Sequence, residues 1–217
     1  MHHKKFYILL LAMTVLAGFL FFLQINRSKQ ITINQTPTAL ISENATFIPP
    51  SDSDLILGNP GAPITIVEFM DFNCKDCLSF HMTIKEAVVK YPQQMRLIWK
   101  DAPQPRLLFK DASLTHQAGW CVAKQDQKKF WQFVDTVGTG NISESTLKKI
   151  IQGMNLNMAA WETCLQSDQT KQAVAAGTEL AKNLGIPSLP AIFINNKAIN
   201  IEADINLREM LESFIKK

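Results

Sequence analysis

The chain has no dense cluster of lysine or arginine, and its formal net charge is only +3 over 217 residues. A nucleic-acid surface needs a concentrated basic footprint, so no nucleic-acid partner is expected. No internal repeat occurs, which excludes an array of stacked units. Cysteine is scarce: there are four, and only Cys74 and Cys77 lie close together. Cys121 and Cys164 stand far apart and belong to no Cys-x-x-Cys or His-x-x-x-His unit. A structural zinc site needs a second pair of that kind to complete its tetrahedron. Its absence makes zinc the weaker reading of Cys74-Lys75-Asp76-Cys77 and thiol–disulfide exchange the stronger one, with no metal site expected. No cysteine follows Leu16-Ala17-Gly18, so a lipoprotein anchor has no support.

The residues that are present suit a folded globular protein with one membrane-directed segment, since 47% are hydrophobic and 19% charged. The length allows one ordinary domain, or a small domain carrying an insertion. After His2-His3-Lys4-Lys5, the stretch Phe6 to Ile25 carries no formal charge and is long enough to cross a bilayer as a helix. Residues 1–27 therefore read as a signal peptide or a membrane anchor. Val15-Leu16-Ala17 offers a small-residue cleavage site, but the apolar run continues through Phe19-Leu20-Phe21-Phe22-Leu23, which favours the uncleaved anchor. Lys4 and Lys5 place the short N-terminus in the cytoplasm. The body of the protein is then exported, into a compartment that permits stable disulfides. Residues 28–54, rich in Ser, Thr, Asn, Gln and Pro, read as a linker, and residues 55–217 as the folded domain.

The apolar, β-branched run from Ile64 to Phe72 predicts a central strand covered on both faces. Helical spacing follows over 75–90, with Leu78, Met82, Ala87 and Val88 on one side. Another strand is predicted at Met95 to Lys100, which completes a βαβ unit. Five helical segments are expected at about 107–124, 127–137, 144–153, 158–166 and 168–184, with Asn141 and Glu144 arranged as a capping box. Trp120, Phe130, Trp131, Phe133 and Trp161 read as their core, not as a cofactor pocket. Strands return at Ala191–Ile194 and Lys197–Ile201, joined by a tight Asn195-Asn196 turn, and a last helix runs over 205–215. In this frame Cys74 falls at a helix N-terminus, where unpaired N–H groups favour the thiolate, the species that attacks a disulfide. Cys77, one turn on, is placed to resolve the mixed disulfide.

The order Glu68-Phe69-x-Asp71-Phe72-x-Cys74-x-x-Cys77, then Lys129-Phe130-Trp131-Gln132-Phe133 in a helical segment, then Leu184-Gly185-Ile186-Pro187-Ser188-Leu189-Pro190-Ala191-Ile192-Phe193-Ile194-Asn195, resembles the DsbA-like thioredoxin-fold proteins. The resemblance runs from Gly58 to the C-terminus. It implies an α/β thioredoxin fold (βαβ plus ββα) with an all-helical insertion at about 103–180. It implies an exposed nucleophile at Cys74, a buried resolving cysteine at Cys77, and a cis-proline at Pro190 beside the active-site disulfide. Glu68 matches an acidic residue buried beneath that disulfide, with proton exchange toward Cys77 as its role. A structural disulfide between Cys121 and Cys164 is expected in the insertion. Lys75 and Asp76 replace the Pro-His pair of the best-known oxidases, and their opposed charges predict a Cys74 thiol less depressed than in strong oxidases. Leu189 stands where Thr or Val is common. His81 is expected as a solvated helix-surface residue, and His116 at most as a helper.

The function implied is an extracytoplasmic thiol:disulfide oxidoreductase, periplasmic and tethered to the inner membrane. It would introduce disulfides into exported proteins, with a membrane redox partner to recharge it and no cofactor beyond the cysteine pair. A disulfide reductase or isomerase is the nearest alternative; a Cys-x-x-Cys metal carrier or a non-catalytic assembly factor belongs to a different class.

Overall fold

The computed structural model describes residues 41–45, 47–49, 51, 54–104, 112–140, 142–201 and 206–215, together with Met13, Leu16, Gly18 and Phe19. Two units are distinguished, Met1–Thr36 and Pro37–Lys217. In the first, those four residues are helical. The rest of the apolar segment expected at Phe6–Ile25 lies outside the described residues. Among the described residues no helix is long and apolar enough to cross a membrane.

The second unit is built on a six-stranded sheet in the order β1-β6-β5-β3-β4-β2. Its strands are β1 Ile41–Ala45, β2 Leu55–Gly58, β3 Ile64–Met70, β4 Met95–Asp101, β5 Ala191–Ile194 and β6 Lys197–Ile199. Only β3 and β4 pair in parallel, and the helix between them, α1 (Lys75–Lys90), is the crossover that such pairing requires. β5 runs antiparallel to β3 and turns into β6 through Asn195 and Asn196, both at positive φ, as the hairpin chemistry predicts. Asn195 also fastens this turn to β3, accepting from the Thr65 N–H at 2.8 Å.

Two strands are additional to those predicted. β1 falls inside the polar stretch read as linker and pairs antiparallel with β6, with an irregular register between Ile41 and Ala45. Its sequence, Ile-Ser-Glu-Asn-Ala, has no apolar alternation, because an edge strand needs only backbone partners. β2 adds to β4 and ends at Gly58, whose φ is +90°; a Cβ there would meet the Met95 carbonyl oxygen at 2.5 Å.

Among the described residues, five helices lie between β4 and β5: α2 Leu114–Gln125, α3 Gln127–Val137, α4 Glu144–Gln152, α5 Met158–Leu165 and α6 Asp168–Asn183. The N-cap of α4 is Ser143, accepting from the Thr146 N–H, and not Asn141. The closing helix is α7, Leu207–Ile215.

Period-two alternation along β3 divides the core. Ile64, Ile66 and Met70 join the large cluster with Cys77, Ile84 and Val88 of α1, Phe130 and Phe133 of α3, Leu147 and Trp161. Val67 and Phe69 face a smaller cluster with Ile98 and Phe193, to which Leu180 and Leu184 add from the α6 side. Glu68 therefore shares the α1-facing side of the strand with Ile66 and Met70.

On α1 the buried stripe is Cys77, His81, Ile84, Ala87 and Val88, while Leu78 is half-buried and Met82 is 47% exposed. This corrects the predicted face. The spacing 77-81-84-88 is the helical stripe that packs on the sheet.

Candidate active site

Cys74 ends the turn after β3 as the N-cap residue of α1, and the structure joins it to Cys77 by a disulfide with Cα atoms 5.2 Å apart. The Cys77 N–H donates to the Cys74 sulfur at 3.1 Å, so one of the orphan first-turn donors of the helix is aimed at that atom. Cys74 is half-buried and Cys77 fully buried, with Lys75 and Asp76 exposed between them. An incoming thiolate can reach only the first sulfur.

The Leu189–Pro190 peptide bond is cis, and the Leu189 carbonyl oxygen lies 3.9 Å from the Cys74 sulfur. Leu189 and Pro190 also line an open cleft of about 770 Å³ with Asp76, Phe80, Ile186 and Ile199. The first turn of α1 and the loop before β5, more than a hundred residues apart in the chain, thus form the two sides of one site.

Glu68 is 0% exposed and its partner is His81, with Nδ1 and Oε1 2.6 Å apart. The expectation of a solvated His81 is wrong: it is also 0% exposed, with Trp131 stacked on its ring at 6.0 Å and Trp99 edge-on at 5.4 Å. The cause is its place on the buried stripe, one turn beyond Cys77, over a carboxylate that would otherwise be unpaired in apolar surroundings. Glu68 Oε2 and His81 Nε2 have no hydrogen-bond partner among the described residues. Buried polar atoms are seldom left in that state, and here two occur together on the face that carries Cys77.

A second buried histidine was underrated by its sequence context. His116, in the first turn of α2, is 1% exposed and touches two carboxylates, Nδ1 at 2.7 Å from Asp101 Oδ1 and Nε2 at 3.5 Å from Asp71 Oδ1. Burial pulls its pKa down, but the hydrogen bonds to Asp101 and Asp71 outweigh that, leaving it above the ordinary 6.5. For Asp71, burial pushes the pKa up, while His116 and the N–H groups of Asn73 and Gln104 pull harder and leave it below 3.8. The signal that could have exposed this cluster is Asp71 itself, a charge among Phe69, Met70 and Phe72.

Cys121 and Cys164 are bonded to each other, with Cα atoms 5.7 Å apart and a sequence separation of 43. The Thr170 hydroxyl donates to the Cys164 carbonyl at 2.7 Å and lies 3.3 Å from the Cys164 sulfur and 3.7 Å from that of Cys121. This bond ties α2 to α5. Among the described residues no group of three or more His, Cys, Asp or Glu is arranged to hold a metal ion.

A family model described as Thioredoxin matches residues 50–217. The protein named Probable disulfide bond formation protein D of Bacillus anthracis is 26% identical over 174 residues, which span 74% of this chain and 78% of that protein. Disulfide bond formation protein D of Bacillus subtilis strain 168 is 25% identical over 184 residues, with 74% and 77% covered. Among solved structures, oxidised BdbD from Bacillus subtilis superposes with a TM-score of 0.63 at 22% identity, covering 80% of this chain and all of that one. The thiol-disulfide exchange protein alpha-DsbA2 from Wolbachia pipientis gives 0.61 at 18% identity, covering 73% and 85%. These likenesses to solved structures extend to the fold.

Proposed function

The chain belongs to the thioredoxin family, and from that membership we propose that it is a thiol:disulfide oxidoreductase that introduces disulfides into exported proteins through Cys74 and Cys77. The observation that carries this reading is the geometry of that pair: a half-exposed sulfur on a helix N-terminus, a fully buried partner, and the Leu189 carbonyl 3.9 Å from the exposed sulfur. The names of the Bacillus relatives support the direction of the reaction.

A substrate thiolate attacks the Cys74 sulfur, the Cys74–Cys77 bond breaks, and its electron pair leaves on Cys77. The new thiolate forms at a site with no exposure, where an unpaired charge is costly. The Glu68–His81 pair shares its face and is the group that gives Cys77 its proton. The second substrate thiolate then attacks the substrate sulfur of the mixed disulfide, and Cys74 leaves as a thiolate favoured by the helix N-terminus. Two electrons have passed from the substrate dithiol to the cysteine pair, so no further cofactor is required. Leu189, Pro190 and Phe80 present backbone and apolar surface to an unfolded chain lying in the cleft.

The remaining assignments belong to the same proposal. Residues 1–27 serve as signal or anchor, and the stretch 28–54, whose β1 belongs to the sheet, leads into the domain formed with residues 55–217, with the helical insertion at about 103–180. The protein works outside the cytoplasm, held at the membrane by Phe6–Ile25, and a membrane redox partner restores its disulfide. Cys121–Cys164 is structural. The test is refolding of a reduced multi-disulfide protein by stoichiometric oxidised enzyme, alongside alkylation trapping of the cysteines in cells. Native disulfides formed in the substrate, with Cys74–Cys77 mostly oxidised in cells, are expected. A pair found mostly reduced points instead to a reductase or isomerase.

A further inference from the structure

His116 takes no direct part in the exchange step, yet it touches the turn that carries Cys74. Its Nδ1–H donates to Asp101 Oδ1 at 2.7 Å, and the same oxygen accepts the Trp99 indole N–H at 2.7 Å. With Nδ1 committed as a donor, the remaining freedom lies at Nε2. Two groups on consecutive residues face that atom. The Phe72 N–H lies at 3.3 Å and requires an unprotonated Nε2; Asp71 Oδ1 lies at 3.5 Å and requires Nε2–H. One nitrogen cannot serve both.

Both residues belong to the short segment between β3 and Cys74. The Asp71 carbonyl accepts the Cys74 N–H at 2.9 Å, its Oδ1 accepts the Asn73 N–H at 2.9 Å, and its Oδ2 accepts the Gln104 N–H at 3.2 Å. The Phe72 ring packs edge-on against the His116 ring at 4.7 Å, and also against Trp99 and Phe133. Among the described residues, the charged groups acting on His116 are Asp101 at the end of β4 and Asp71 ahead of Cys74. On its own helix, its neighbours Thr115 and Gln117 are uncharged, α3 contributes only the apolar Phe133 through Phe72, and α6 meets Asp101 through Gly177.

We infer that His116 is a positioning residue for exchange at Cys74: its Nε2 holds the Asp71–Asn73 turn through the Phe72 N–H when unprotonated and through the Asp71 carboxylate when protonated. The inference rests on exchange at Cys74–Cys77 being the reaction. In the protonated form the Phe72 N–H loses its acceptor, and Asp71 Oδ1 is divided between the imidazolium and the Asn73 N–H. The Phe72 N–H therefore keeps its acceptor only in the unprotonated form, which the two carboxylates shift to pH values above the ordinary imidazole range.

The first test needs no variant and no activity. In the oxidised protein, the Phe72 amide and the His116 imidazole are followed by NMR from about pH 5 to 9. The Phe72 amide is expected to move with the His116 midpoint; an amide that ignores that midpoint overturns the inference. The second test follows exchange of the Cys74–Cys77 disulfide with reduced glutathione, with the rate divided by the thiolate fraction of glutathione. Wild type is expected to lose about fivefold in rate on the acid side of the midpoint, the equivalent of one net hydrogen bond. His116→Gln, which can still accept the Phe72 N–H but cannot titrate, is expected to stay flat at the wild-type alkaline level. Superimposable profiles for wild type and His116→Gln overturn the inference. Should exchange be absent in both proteins, or the variant fail to fold, the Phe72 amide decides alone.

Discussion

The two disulfides have the same burial pattern and different surroundings. Each joins a fully buried cysteine, Cys77 or Cys121, to a half-buried one, Cys74 or Cys164. Access to the sulfur therefore does not explain why one should exchange and the other hold. The difference lies in what faces the leaving group. Around Cys74–Cys77 the first-turn N–H of Cys77 points at the nucleophilic sulfur, and a carboxylate–imidazole pair with two unpartnered atoms lies on the same face as the buried sulfur. Around Cys121–Cys164 the polar group is the Thr170 hydroxyl, whose proton is already donated to a backbone carbonyl and not to a departing thiolate. One bond can stabilise the thiolates formed when it breaks; the other has packing and a helix-to-helix span.

Exchanging the two roles by mutation is the direct way to break this comparison. Cys74→Ser is expected to reduce disulfide transfer to the uncatalysed background while leaving the melting temperature near wild type, measured by substrate refolding and thermal unfolding. The double change Cys121→Ala with Cys164→Ala should do the reverse. It should cost roughly 3–4 kcal/mol in urea unfolding, the loop-closure contribution of a bond across 43 positions, with exchange at Cys74 retained. A double variant that loses exchange but keeps its stability would remove the distinction. Glu68→Gln sharpens it further. The amide preserves shape and can still accept from His81, but it cannot pass a proton, so reduction of Cys74–Cys77 by dithiothreitol should slow about a hundredfold at neutral pH. An unchanged rate would show that Cys77 obtains its proton elsewhere.

The smallest expected effect is a pH dependence of stability, read by urea unfolding of wild type against His116→Gln. The folded pKa of His116 is raised, so its contribution is complete below about 6.5 and is lost as the pH rises through the folded value. The folded pKa of Asp71 is depressed, so its contribution is present above about 3.8 and is lost as the pH falls through the folded value. Between those limits the cluster contributes most, and the difference between wild type and variant should be largest there.

Much of the architecture was legible in the chain because local signals and global order agree. Alternation at Ile64–Met70, helical spacing after Cys74, and the Asn195-Asn196 turn each identify an element without tertiary knowledge. Of the helix predicted over 107–124, α2 covers Leu114–Gln125, residues 112–113 form a turn, and 107–111 lie outside the described residues. β1 could not be read from Ile41–Ala45, whose place depends on backbone bonding to β6 across some 150 residues. The cysteine pair was equally plain from spacing. The histidines were not, because a histidine on a helix looks solvated until the strand opposite is known. His81 is buried because Glu68 lies over it, and His116 because Asp71 and Asp101 converge on it. Neither partner is near in sequence, so no window around either histidine carries the information.

The irregular pairing of β1 with β6 has a consequence for a protein proposed to handle unfolded chains. A sheet edge with a free row of N–H and C=O groups is a template on which an extended client could add as another strand and stay. Here the outer row of β6 is occupied by the protein's own segment, and the new edge is bulged, with Ile41 opposite Ile199 and Ala45 opposite Lys197. A bulged border pairs poorly with a straight newcomer. At the other margin the sheet ends in the four residues of β2, closed by Gly58. On the proposed function, clients are thereby discouraged from sticking at the rims and left to meet the protein at the sulfur, where contact is brief and reversible.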